Sequence, residues 1–242
     1  MLFSTLLLLY NLTIAFVAGL VANKWLSKAI GTTTPILHPT LVVLIGWFAI
    51  GSVLQIFHLV HRIDLTAHLL IWMLLSIAFA THAKTLVKDA IASLHCIANK
   101  QTIAVGIGFF LITLVTILQR KADGDIGDYH LQAIRWAEEY AVVPGIGNIR
   151  RQLANNSNWF LLNAFSGFHF LHLRSVYVLN AALVIMVGMY VTPNLKQQFW
   201  LRNLVLLAYF TIVATRKYTG AVTNDLVVTS GIVLLFCWFT DS

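Results

Sequence analysis

Seven apolar runs constrain the fold of this chain more than any other sequence feature. They cover residues 2–22, 40–57, 65–83, 102–118, 176–191, 201–215 and 226–239. A helix needs roughly 20 apolar residues to cross about 30 Å of hydrocarbon, and most of these runs come close to that length. Only 10% of the residues are charged, against about 25% in soluble domains. We therefore predict an all-α fold, a polytopic membrane helix bundle.

An eighth, shorter run covers residues 159–171 and contains Asn163, His169 and two glycines. The sequence leaves three alternatives open for it: a short span, a re-entrant helix or an interfacial helix. We therefore expect about seven or eight transmembrane helices in a single domain, residues 1–242. The chain ends at Ser242, directly after an apolar run. This leaves open whether the chain is complete, an N-terminal fragment or a truncated member of a longer class of proteins.

The distribution of basic residues predicts the orientation in the membrane. The second connection holds only Arg62 beside Asp64, whereas the first and third hold five lysines: Lys24, Lys28, Lys84, Lys88 and Lys100. Because cytoplasmic loops are rich in Lys and Arg, the polar loop at about 119–158 is predicted to be extracytoplasmic, which in a bacterial inner (plasma) membrane is the periplasmic face. The net charge of +7 comes from basic residues spread between apolar runs, which predicts contact with membrane lipids and not with nucleic acid.

Five of the nine carboxylates lie in this loop: Asp123, Asp125, Asp128, Glu138 and Glu139. Acidic residues are scarce and costly in a membrane protein, so their concentration in one loop indicates chemistry or the binding of a polar substrate. Asp125 is the strongest candidate, since a carboxylate just before a helix N-terminus stays ionised and available as a base or metal ligand.

The residues that follow these aspartates predict an interfacial helix over residues 129–140, which contain neither Gly nor Pro. Its aromatic side would lie at headgroup depth and consists of Tyr129, Ala133, Trp136 and Tyr140. Asp128 is predicted to be its N-cap, with substrate binding as the alternative role. Glu138 and Glu139 are predicted to lie on the wet face of the helix.

A pair of arginines follows a turn-rich stretch, Val143-Pro-Gly-Ile-Gly-Asn148. Guanidinium groups bind phosphate oxygens bidentately, so Arg150 and Arg151 are candidate phosphate ligands. Nonspecific contact with lipid headgroups is the alternative. A carboxylate and phosphate-binding cations on one membrane face suggest transfer of a group carried on a lipid phosphate.

The loop contains several short motifs, and their order along the chain is informative. They are Asp125-x-x-x-Tyr-His-Leu-Gln-Ala-Ile-x-Trp136, then Glu139-Tyr, Val143-Pro-Gly-x-Gly-Asn148 and Asn156-Ser-x-Trp-Phe160. Together they resemble the first external loop of a bacterial branch of the type C (GT-C) glycosyltransferases, closely over residues 120–165 and loosely elsewhere. The resemblance implies a membrane glycosyltransferase that takes a sugar from a polyprenyl-phosphate donor and transfers it to a glycan or lipid acceptor of the cell envelope.

The resemblance also implies roles for individual residues. Asp125 matches the catalytic base of an inverting transfer, in which a carboxylate removes the acceptor hydroxyl proton. Substrate-binding roles fall to Asp128, Tyr129, His130, Arg150, Arg151 and Asp225, with the cations stabilising the departing phosphate. The chain departs from the pattern of this family at two positions. Ile126 stands where the family tends to have Thr, and Asp225 lacks the prolines that usually flank it.

No cofactor or metal is predicted. Asp123, Asp125 and Asp128 have oxygen atoms suited to Mg²⁺ or Mn²⁺, but their spacing matches no specific metal motif.

The side of the membrane on which Asp225 lies depends on the run at 159–171. If that run crosses fully, Asp225 faces inward, and if it does not, Asp225 returns to the outer face near the acidic loop.

The alternative class is a non-catalytic membrane protein. One form is a histidine-ligated heme or metal protein, because His58-x-x-His61 and His169-x-x-His172 would place pairs on one helix face among nine histidines. Another is a transport or binding protein with the loop as its vestibule. Loss of sugar transfer in Asp125→Asn with donor binding retained would distinguish the enzyme from a transport or binding protein. A Soret band in the purified protein would support the heme protein, and a colourless preparation would exclude it.

Overall fold

A computed structural model describes residues 2–118, 129–154, 157–172, 176–191, 200–216 and 225–241. These residues form helices and connections and contain no strand, which confirms the all-α prediction. The helices are α1 (Leu2–Ile30), α2 (Pro39–His58), α3 (Leu65–His95), α4 (Lys100–Leu118), α5 (Leu131–Glu139), α6 (Ile146–Ile149), α7 (Asn158–Gly167), α8 (Leu179–Val191), α9 (Trp200–Arg216) and α10 (Asp225–Asp241). Short 3₁₀ helices cover Arg151–Ala154 and His169–Leu171.

Three of the described helices are long and apolar enough to cross a membrane, namely α1, α2 and α3. Four shorter apolar segments lie in α4, α8, α9 and α10. Each of the seven predicted apolar runs therefore contains a helix. The total of seven or eight spans stays a prediction.

Helix α8 lies in the middle of the bundle and packs against α1, α2, α4, α7 and α10. It is apolar on every side, which is the pattern of a helix with no face toward polar solvent. Thr40 in the first turn of α2 donates a 2.9 Å hydrogen bond to the carbonyl of Met186 in α8. The hydrophobic core around α8 also contains buried side chains of α1, α2, α7, α9 and α10.

Helices α1 and α2 approach each other closely at two glycines. A Cβ atom on Gly46 would overlap the carbonyl of Ala15, and one on Gly19 would overlap the carbonyl of Val42. Small residues at such crossings let helix backbones approach, which is how apolar helices gain packing energy in a lipid environment.

Helix α3 is kinked at His82, where φ is −135° and ψ is 15°. The predicted apolar run ends close to this point, but the helix continues to His95. Beyond the kink, Lys24 of α1 donates a hydrogen bond to Thr85, and Ser93 donates one of 2.7 Å to the carbonyl of Leu37. The first connection and the lysine-bearing half of α3 thus lie at the same end of the bundle.

Helix α7 is only 10 residues long, which corresponds to about 15 Å and is too short to cross about 30 Å of hydrocarbon. It begins after Ser157, whose side chain accepts a hydrogen bond from the backbone of Trp159. It ends at Phe168, which has the left-handed conformation. Residues 159–167 are all buried, so α7 lies inside the bundle.

Candidate functional site

The described part of the acidic loop forms a layer across one end of the bundle, consisting of α5 and residues 140–154. Two backbone hydrogen bonds attach this loop layer to the α2–α3 connection. Ile63 donates to the carbonyl of Ala137 over 2.8 Å, and Val142 donates to the carbonyl of His58 over 3.0 Å. The loop layer and the second connection therefore share one end of the bundle, and the lysine-bearing ends of α1 and α3 are at the other end.

Helix α5 has the predicted position but a different inward face. The inward face consists of Ile134, Ala137 and Glu138, which are buried at the i, i+3, i+4 spacing of one helix side. The aromatic rings of Trp136 and Tyr140 lie 5.2 Å apart on another side of the helix. The prediction that Glu138 is on the wet face is wrong, because α5 docks on α7 with Glu138 between them.

The carboxyl group of Glu138 is enclosed, with 0% of its side chain exposed. Its Oε2 atom lies 3.8 Å from Nδ1 of His169, and a Cβ atom on Gly167 would lie 3.3 Å from its Oε1 atom. Neither carboxyl oxygen has a hydrogen-bond partner among the residues that the structure describes. Burial raises the pKa of Glu138 to about 7, although the charge of Arg135 opposes the increase.

His169 is held against Glu138 by an unusual stretch of backbone. Its 3₁₀ helix lies between Phe168 and His172, which have φ values of 50° and 55°, a region that residues other than Gly seldom adopt. Nη1 of Arg135 lies 3.0 Å from Nδ1 and 3.1 Å from Nε2 of His169. A ring nitrogen accepts a hydrogen bond from Arg only when it carries no proton, which favours neutral His169. Burial, followed by the charge of Arg135, lowers the pKa of His169 accordingly.

Glu138 and His169 line a cavity of about 330 Å³ between α5, the α2–α3 connection and the chain after α7. We call it the acid cavity. Its other polar wall is a fixed ion pair, since Nε of Arg62 donates to Oδ2 of Asp64 over 2.8 Å. Asp64 is also the N-cap of α3. Burial opposes ionisation of Asp64, but hydrogen bonds from Thr66 and Arg62 outweigh it and lower its pKa.

A second cavity of about 280 Å³ lies on the other side of α5. Its walls come from α5, the 143–147 turn and α7, and they are mainly apolar, with Trp136, Val143, Ile146 and Phe160 among the lining residues. Gly145 has a φ of 81°, which gives the turn a conformation that suits glycine.

The predicted site residues fall into two groups. Asp125 and Asp128, together with Asp123, lie outside the described residues, so the assignment of Asp125 as the base stays a prediction. The prediction that Asp128 is the N-cap of α5 is wrong, because α5 begins at Leu131 after His130. Tyr129 and His130 directly precede α5, with their rings 4.2 Å apart. His130 is the N-cap residue of α5, and its buried ring lies 5.1 Å from that of Phe160 in α7.

The predicted phosphate ligands lie in the second half of the loop layer. Arg150 is the C-cap of α6, and Arg151 begins the adjoining 3₁₀ helix with an exposed side chain. Asp225 is exposed in the first turn of α10, which packs on α8 and α9. The fold brings together a different pair. That pair is Glu138 and His169, which the packing of α5, α7 and the α2–α3 connection places side by side and to which the sequence assigned no substrate role.

The prediction that the histidine pairs share a helix face is wrong. His58 is the last residue of α2, and His61 lies beyond its end. His169 lies in a 3₁₀ helix that ends before His172. Within the described ranges, no group of three or more His, Cys, Asp or Glu side chains is arranged to hold a metal ion.

The fold and the site define a protein whose described residues are helical, with three helices among them that are able to cross a membrane and a polar layer over one end of the bundle. The chain belongs to the family described as "Domain of unknown function (DUF8201)", whose sequence model matches residues 1–242. Neither a curated protein nor a solved structure matches the chain.

Proposed function

We propose that this protein is an inverting membrane glycosyltransferase of the GT-C type. It transfers a sugar from a polyprenyl-phosphate donor to a glycan or lipid acceptor of the cell envelope. The reaction takes place at the extracytoplasmic face of a bacterial plasma membrane, in a bundle of seven or eight spans whose α5 lies at the membrane surface. Asp125 is the base that removes the acceptor proton as the acceptor oxygen attacks the anomeric carbon.

The observation that carries the proposal is the way in which the described parts of the loop motifs pack together. Ala137 and Val142 anchor the loop layer to the α2–α3 connection, and the layer encloses the acid cavity. A layer fixed in this way is suited to hold a reacting group in one orientation, which is a large part of what an enzyme contributes to group transfer.

The remaining assigned residues bind the donor, either at its phosphate or at its sugar. Arg150 and Arg151 bind the phosphate oxygens, and His130 in its protonated form stabilises charge on the departing lipid phosphate. Tyr129 and Asp128 orient the sugar, and Asp225 contributes from α10. What supports the location of this chemistry is the common position of Tyr129, His130 and the arginine pair in one layer at one end of the bundle.

The test is transfer of sugar from radiolabelled polyprenyl-phosphate donors by membranes that contain the protein. We expect wild type to transfer label and Asp125→Asn to lose at least about 100-fold in rate, because the substitution removes the base and preserves its shape. Donor binding, measured by retention of labelled donor on purified protein, should be unchanged in Asp125→Asn.

Asp123→Asn is the matched control, since it removes another acid two positions away. Equal loss in both variants would mean that the loop needs its charge and that Asp125 is not the base. Absence of transfer by wild type with every polyprenyl-phosphate sugar tested would overturn the proposed function.

A further inference from the structure

The acid cavity contains one polar group whose hydrogen bonds are not satisfied by the described residues. Both oxygens of the Glu138 carboxyl are buried and have no hydrogen-bond partner there. Leaving such a group unpaired costs about 1–3 kcal/mol, and more when it is charged. A carboxyl kept at this cost, in the wall of a cavity, is available to a molecule that enters the cavity.

The geometry specifies the kind of group that fits between Glu138 and His169. The 3.8 Å between Oε2 and Nδ1 is too long for a direct hydrogen bond. One oxygen atom placed about 2.8 Å from each would complete two bonds. With a proton on Nδ1, His169 donates to that oxygen while Arg135 donates to Nε2, and the oxygen donates its own hydrogen to Glu138. An alcohol hydroxyl has this combination of one donor and free acceptor positions.

The charges around the cavity disfavour a charged ligand. Arg62 is ion-paired with Asp64, so the wall opposite Glu138 is close to neutral. Arg135 and Glu139 are four residues apart on α5, a spacing at which opposite charges balance each other. A free cation would meet the guanidinium group of Arg62 in the wall and that of Arg135 beyond His169, and a free anion would meet three carboxyl groups in the wall.

The remaining wall and the volume fit a small ring. Phe170 contributes an apolar surface next to these polar groups. The cavity volume of about 330 Å³ is at the lower end of the range of about 300–1,000 Å³ for small-molecule sites.

We propose that the acid cavity binds one uncharged, hydroxyl-bearing ring of the sugar class, with a ligand hydroxyl bridging Glu138 and His169. The inference deepens the proposed function and rests on it for the identification of the ring as a sugar. It assigns Glu138 and His169 to a sugar subsite that is separate from the predicted base, Asp125.

The experiment is saturation-transfer NMR on the full chain in nanodiscs of phosphatidylethanolamine and phosphatidylglycerol, with no sugar detergent present. The probes are the methyl glycosides of glucose, galactose and mannose, and empty nanodiscs are the blank. We expect saturation transfer to at least one glycoside, with no competition from inorganic phosphate or methylammonium at equal concentration.

Three variants separate the subsite from the fold. Glu138→Met and His169→Asn should abolish the signal, whereas Gln132→Ala changes an exposed residue of α5 that does not line the acid cavity and should retain it. Glu138→Met should also raise the thermal unfolding midpoint, because it removes an unsatisfied buried carboxyl. Loss of signal in a more stable protein cannot come from failure to fold.

Absence of signal in wild type, or equal signal in wild type and Glu138→Met, would overturn the inference, and the cavity would then hold water only. Displacement of the glycoside by methylammonium would overturn it in favour of a cation site. The proposed function fails separately. Glycoside binding without transfer from any polyprenyl-phosphate sugar would refute the enzyme and leave the subsite, whereas transfer without glycoside binding would do the reverse.

Discussion

Ser166 of α7 donates a 2.6 Å hydrogen bond to Oδ1 of Asn11 in α1, and both side chains are buried. Asn11 uses its Nδ2 atom to donate a 2.8 Å hydrogen bond to the carbonyl of Leu7. The bond to Ser166 joins residues that are 155 positions apart. This hydrogen bond fixes the position of α7, and therefore of Gly167, which lies against the carboxyl group of Glu138.

Replacement of Ser166 by Ala should lower the free energy of unfolding by about 1–2 kcal/mol, because it leaves Oδ1 of Asn11 buried without its donor. The double variant Asn11→Leu/Ser166→Ala should lose less than the sum of the single variants. Thermal unfolding in micelles measures all three. The control is Thr81→Ala, which removes an exposed hydroxyl bonded within its own helix and should change stability by less than about 0.5 kcal/mol. Strict additivity of the two core substitutions would contradict the coupling.

The crossing of α1 and α2 should not tolerate one added methyl group. In Gly46→Ala the new Cβ would overlap the backbone carbonyl of Ala15, so the helices must separate at a cost of at least about 1–3 kcal/mol. Gly108→Ala in α4 is the matched change, since no atom of the described residues lies within 4 Å of its added Cβ. There we expect a gain of up to about 1 kcal/mol from helix propensity. Equal unfolding midpoints for the two variants would show that the crossing is loose.

Stability should depend on pH through Glu138. Because burial raises its pKa from 4.5 to about 7, the folded protein holds this proton more tightly than the unfolded chain does. The contribution is fully present below pH 4.5 and is lost as the pH rises through about 7, a difference of at most about 3 kcal/mol. The measurement is the free energy of unfolding between pH 4 and pH 8, taken as wild type minus Glu138→Gln.

That difference should fall across the window, whereas wild type minus Gln132→Ala should stay level, since Gln132 is an exposed residue of α5 that does not titrate. A level profile for Glu138→Gln would mean that the carboxyl is solvated in the folded state.

The backbone at His172 should be relieved by glycine. A residue other than Gly in the left-handed region costs roughly 1–2 kcal/mol, and Gly removes that cost while adding up to about 1 kcal/mol of chain entropy. We therefore expect His172→Gly to leave stability unchanged or raise it by about 1 kcal/mol. Leu171→Gly, at the neighbouring position without a positive φ, should lower it by about 0.5–1 kcal/mol. Thermal unfolding of the two variants side by side tests this, and a larger loss in His172→Gly would contradict it.

The sequence predicted the helices well, because each long apolar run has few other ways to satisfy its backbone. It also predicted α5, since residues 129–140 contain neither Gly nor Pro. It did not predict the direction in which α5 faces. Ile134 and Ala137 have the spacing of an inward face, but an aromatic side and an acid at position 138 suggested the reverse.

The site itself was harder to predict for a physical reason. The burial of Glu138 depends on Gly167, which leaves space for its Oε1 atom, and on a hydrogen bond from Ile63 to Ala137. Gly167 and Ile63 are distant from Glu138 in sequence, and no local sequence pattern predicts that they surround it. His169 belongs to one of the two His-x-x-His pairs, and its position inside the apolar run 159–171 does not indicate that it meets the acidic loop. Asp125 stays a prediction from the resemblance.

The position of α7 also has a consequence for biosynthesis. When α5 has been synthesised and α7 has not, the Glu138 carboxyl lacks the part of its cover that α7 provides, so its pKa should be closer to the ordinary value of 4.5. Arrival of α7 removes it from water and shifts its proton affinity toward 7, so this docking step takes up a proton in part at neutral pH. Assembly of this end of the bundle is therefore a proton-linked reaction, and the acidity of the surrounding compartment acts on how readily the nascent chain completes it.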